Sequence, residues 1–111
     1  DFETAIRGMQ RWTRQVVAWW HEGNDLLLLP TLATPPPETG YLTGGTEPDR
    51  RARLAATIPF TPPFNVTGQP AISLPLHWTP DGLPVGVQLV AAPGREDRLL
   101  QVAAALEREV N

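Results

Sequence analysis

An α/β fold is predicted for this chain by three observations. Amphipathic helical stretches lie near both ends, the apolar segments between them lack polar alternation, and glycine or proline bounds each such segment. Apolar runs without alternation characterise strands covered on both faces, and a parallel or mixed sheet between helix layers supplies that cover. The expected order is helix, strand, loop, helix, hairpin, helix.

Residues 2–22 read as a helix, because Phe2, Ile6, Met9, Val16 and Trp20 recur at mostly three- or four-residue spacing and Trp12 widens the stripe. Gly23 and Asn24 tolerate positive φ and end it. Leu26–Leu29 follow Asp25 as a short strand that Pro30 terminates. From Pro30 to Gly45 the prolines at 35–37 favour an extended connection without sheet donors. Thr46, Pro48 and Asp49 then spell a helix start, and that helix should run to about Ala56. Pro59, Pro62 and Pro63 exclude regular structure until Asn65, and Gly68 marks a turn. Ala71–Leu76 and Val85–Ala91 are expected to pair as a hairpin through Thr79-Pro80-Asp81-Gly82, a turn with proline and glycine at suitable positions. Arg95 to Val110 closes the chain with a helix whose buried stripe is Leu99, Leu100, Val102, Ala103 and Leu106.

At 111 residues the chain forms one domain or a piece of one. Its net charge of −3, with acidic side chains beside every arginine cluster, lacks the dominant positive field that nucleic-acid binding needs. No apolar run approaches the ~20 residues of a membrane span, so no membrane partner is expected. The absence of cysteine excludes disulfides and fits a reducing compartment, and a cytoplasmic location is expected.

Catalytic chemistry is hard to assemble from these residues. Ser73 is the only serine, there is no lysine, and AISLP is not a nucleophile elbow. Ser73 is therefore expected to be a buried strand serine bonded to a neighbouring carbonyl. His21 sits where a helix C-terminus favours it, and His77 follows a strand; neither has a second ligand at metal-binding spacing. The residues by themselves indicate a folded α/β piece with no catalytic set, no metal and no cofactor.

Three blocks, in order, resemble the C-terminal part of the amidase-signature hydrolases: Asp25–Ala33 (DLLLLPTLA), Phe64–Pro75 (FNVTGQPAISLP) and Asp81–Val90 (DGLPVGVQLV). The likeness extends over about Asp25 to Leu106. It implies the C-terminal part of a mixed-sheet α/β/α domain that hydrolyses carboxylic amides through a serine nucleophile, a second serine in a cis peptide linkage and a lysine. Those elements would lie upstream, so no catalytic residue is carried over and residues 1–111 are expected to be a fragment inactive by itself. Its expected contribution is sheet scaffold and one wall of the acyl-side pocket, with a small-molecule amide and the rest of the domain as partners. A homodimeric parent enzyme is compatible with this.

For that wall the expected substrate-binding residues are Thr61, Phe64 and Asn65, where irregular backbone could face a ligand, followed by His77 and Trp78. The FNVTGQP and LHW segments look more like stand-alone amidases than like the amidase-type chain of tRNA-dependent amidotransferases. Two other readings are a split enzyme whose partner carries the serines and lysine, and a non-catalytic module presenting Pro35–Pro37 to an aromatic groove.

Overall fold

The computed structural model describes residues 1–110. Helix α1 (Phe2–Ala18) is capped by Asp1, whose carboxylate accepts the Thr4 N–H at 2.7 Å. It tightens into a 3₁₀ turn at Trp19–Glu22, and Gly23 stops it at φ +90°. Strand β1 (Leu27–Pro30) follows, then the Pro-rich loop, α2 (Glu47–Thr57), α3 (Pro62–Thr67), β2 (Ala71–Trp78), β3 (Pro84–Val90) and α4 (Glu96–Val110).

The three strands make one sheet in the order β1-β3-β2, with both pairings antiparallel. The expected hairpin is β2–β3, in which Ser73 faces Gln88 and Leu74 faces Val87. Thr79 Oγ1 accepts the Leu83 N–H at 2.9 Å and donates to Asp81 Oδ1 at 2.5 Å, while Gly82 takes φ +88°. A bulge between Pro75 and His77 ends the regular register.

Alternation along β2 and β3 separates the two faces of the sheet. One carries Leu74, Leu89 and Ala91, which form the core with Leu99 and Ala103 of α4. The other carries Val90 and Gln88, both buried, but also the exposed residues Ala71, Ser73 and Pro75. Strands of this composition call for cover on both faces, and within this chain β2 receives it on one. Helix α4 covers the first face, while on the second Gln88 and Val90 of the central strand are buried and the outward residues of β2 stay open.

A second expectation is corrected between Pro59 and Asn65. The double proline opens α3 rather than breaking structure, because it occupies the first helical positions, where a missing N–H is no loss and φ near −65° is already helical. Gly68, at φ +71°, ends the helix.

The molecule is a plate of 45 × 41 × 17 Å with a radius of gyration of 16.6 Å. A compact chain of this length has a radius of about 13 Å. Its accessible surface is 7694 Å², roughly 1,600 Å² more than a compact monomer of equal mass exposes. Much of the excess is apolar: Phe2 is 81% exposed, Leu28 65% and Leu100 63%. Helix α1 packs on α3 through its C-terminal half, and its N-terminal apolar stripe faces outward.

Candidate substrate-facing wall

The open part of the sheet borders a cavity of about 360 Å³. Helix α3 and the residue before it contribute Thr61, Phe64 and Asn65; β2 contributes Ala71, Ile72 and Ser73; Gln88 of β3, Thr31 just after β1 and Gln69 just before β2 complete it. Thr61, Phe64 and Asn65 thus converge on one concavity, held by a short helix instead of irregular backbone. His77 and Trp78 lie elsewhere. They follow the bulge at the far end of β2, and Trp78 borders a separate groove with Leu74, Leu76, Glu107 and Val110 beside α4.

Sequence reasoning did not reach Thr31, Gln69 and Gln88. Gln88 Nε2 donates to the Phe60 carbonyl at 3.2 Å, which ties the central strand to the segment entering α3. Gln69 accepts from the Trp20 indole N–H and donates to Thr67 Oγ1 at 2.6 Å. Both glutamines are buried and satisfied, so the cavity has a fixed polar frame. Polar residues interrupting an apolar strand were the available signal for Gln88; nothing local distinguishes Thr31.

Ser73 is exposed, contrary to expectation, and its partner is a hydroxyl one residue beyond the far strand of the sheet. Thr31 Oγ1 and Ser73 Oγ are 2.6 Å apart, bridging β1 and β2 across Gly86 of β3. Gly86 makes this contact available, because a Cβ there would sit 2.9 Å from both hydroxyl oxygens. The cavity lining supplies no base to Ser73, so activation as a nucleophile has no acceptor for its proton. Among the described residues no three histidine, aspartate or glutamate side chains converge as metal ligands, and no helix is long and apolar enough to cross a membrane.

The Pro-rich loop is strapped to α2. Arg53 Nη1 donates to the carbonyls of Tyr41 at 3.0 Å and Gly44 at 3.2 Å, and its guanidinium lies 5.0 Å from the Tyr41 ring centre. Ala33 N–H reaches the Thr57 carbonyl at 3.0 Å, and Pro36 and Pro37 are half-buried. A polyproline ligand would stand free of its carrier; this one is partly folded onto it.

A family model described as Amidase matches residues 2–100. The 6-aminohexanoate-cyclic-dimer hydrolase of Paenarthrobacter ureafaciens is 48% identical over 96% of the chain, and a putative amidase of Mycobacterium leprae is 43% identical over 92%. A glutamyl-tRNA(Gln) amidotransferase chain of Prochlorococcus marinus is 45% identical over 78%. A solved structure of 6-aminohexanoate cyclic dimer hydrolase complexed with substrate superposes with a TM-score of 0.87 at 44% identity, covering 98% of this chain and 24% of that one. The chain spans 17% to 23% of the length of these three curated relatives.

Proposed function

Because the chain belongs to the amidase family, we propose that it forms the C-terminal part of an amidase that hydrolyses carboxylic amide C–N bonds, supplying sheet scaffold and one wall of the substrate pocket. The observation that carries this reading is the convergence of Thr61, Phe64 and Asn65 on a cavity at the uncovered face of the sheet. In the family mechanism implied by the resemblance, a serine attacks the amide carbonyl and a second serine and a lysine take up its proton. The C–N bond breaks, the amine leaves with a proton, and water releases the acid from the acyl-serine. This chain has one serine and no lysine, so that machinery belongs to the other three-quarters of such an enzyme. The role of residues 61–65 is to shape and orient the acyl side of the substrate.

An aliphatic amide is the favoured substrate class, because relatives named for hydrolysing 6-aminohexanoate cyclic dimer match 96% of the chain at 48% identity. The amidotransferase relative matches 78%. The test is a graft in which this chain replaces the matching segment of the Paenarthrobacter hydrolase. Amide hydrolysis by the folded graft is the expected result, together with no turnover and no fluorophosphonate labelling of the isolated chain. A folded graft without amidase activity, or labelling at Ser73, overturns the proposal.

A further inference from the structure

The lining of the cavity contains hydroxyls, side-chain amides and apolar groups but no ionisable side chain. A charged substrate end buried against such a wall would lose its hydration without gaining a counter-ion, whereas a neutral amide would exchange water for comparable hydrogen bonds. Within this wall the groups best placed to meet a neutral amide are the two hydroxyls held over Gly86. In the Thr31–Ser73 contact one hydroxyl donates to the other at 2.6 Å. The accepting hydroxyl keeps a free proton, and lone pairs remain on both oxygens. Such a pair can donate to a carbonyl and accept from an N–H, the pattern an amide group presents. Its position is fixed from three strands at once: the Thr31 N–H bonds the Gly86 carbonyl at 3.1 Å, and Ser73 lies in register opposite Gln88.

We propose that the Thr31–Ser73 hydroxyl pair, seated over Gly86 in an uncharged wall, is a specificity-determining contact for a neutral amide group of the substrate, so that the enzyme takes uncharged amides in preference to those bearing a carboxylate. The inference rests on the amidase reading above and adds the polarity of the substrate to it.

The test uses the hydrolase graft, assayed with a neutral aliphatic diamide and a matched amide ending in a carboxylate. The graft prefers the neutral substrate. Ser73→Ala raises KM for it roughly 3- to 10-fold, the value of one neutral hydrogen bond, with kcat changed less than about twofold. Ser73→Thr, which keeps the hydroxyl, restores KM, and Ser73→Lys shifts preference toward the carboxylate-bearing amide. Gly86→Ala, whose added carbon displaces both hydroxyls, reproduces the KM effect of Ser73→Ala. An active graft whose KM is the same with serine or alanine at position 73, or one that favours the carboxylate-bearing amide from the outset, overturns this inference while leaving the amidase reading intact. A folded graft inactive on every amide overturns the amidase reading instead.

Discussion

Trp20 and Gln69, 49 residues apart, meet in a buried contact that joins the end of the first helix to the turn before β2. The indole N–H donates to Gln69 Oε1, and the same glutamine donates to Thr67 Oγ1. One side chain therefore fixes the 3₁₀ turn, the end of α3 and the rim of the cavity. Removing either partner strands a buried polar group, which costs more than a hydrogen bond contributes.

Trp20→Phe should lower stability by about 1–3 kcal/mol, because the Gln69 oxygen is left buried without a donor. Urea unfolding of the two proteins measures it. An unchanged midpoint would mean that the contact carries no weight in solution.

Asn65→Ala should act on substrate binding and leave folding nearly intact, since Asn65 is exposed on α3 and borders the cavity. In the hydrolase graft KM should rise by roughly threefold to tenfold, with a urea midpoint close to that of the parent. Loss of stability with unaltered KM would place Asn65 in the scaffold only.

Acid sensitivity should trace in part to the start of α4. Arg95 donates to both carboxylate oxygens of Asp97 at 3.0 and 3.2 Å, and this hydrogen bonding holds the Asp97 carboxyl below its ordinary value. Arg98 adds to the effect and itself bonds Asp25 at 2.8 Å. A lowered folded pKa contributes stability that is complete above the unfolded value and is lost as pH falls through the folded one. Asp97→Asn should therefore flatten the decline of the urea midpoint below about pH 4. Equal slopes for the variant and the parent would contradict this assignment.

Arg53→Met should loosen residues 35–45 while sparing the sheet, because it removes two carbonyl contacts and the cover over Tyr41. Limited proteolysis should cleave that loop several times faster, with a stability loss of about 1 kcal/mol. Cleavage elsewhere first would show that the strap does not govern this segment.

The isolated chain should associate as its concentration rises, because Phe2, Met9 and Trp12 line an uncovered helix stripe and Leu28 and Leu100 are also exposed. Phe2→Ser with Trp12→Ser should reduce that association in sedimentation experiments. A sharply melting monomer at all concentrations would show that the plate needs no further cover.

The local features of this chain were legible in its sequence. Thr46 accepts the Asp49 N–H at 3.3 Å and begins α2, Gly68 takes the positive φ expected of it, and the apolar stripe of α4 meets the sheet through Leu99, Val102, Ala103 and Leu106, whereas Leu100, expected in that stripe, is 63% exposed. Each depends on residues within one or two turns of chain, where steric limits and capping act. The proline pair before Phe64 misled because the same residue that breaks a helix interior suits its first turn.

Tertiary structure alone decided which face of β2 stays open and what Ser73 touches. Register sets both, and a shift of one residue would send Ser73 to the α4 side and Leu74 to the cavity. Thr31 and Ser73 stand 42 residues apart, and only the placement of Gly86 between their strands brings the hydroxyls together. Composition and spacing determine which segments become helix or strand, because those preferences are local; the wall of a pocket is a property of strands laid side by side.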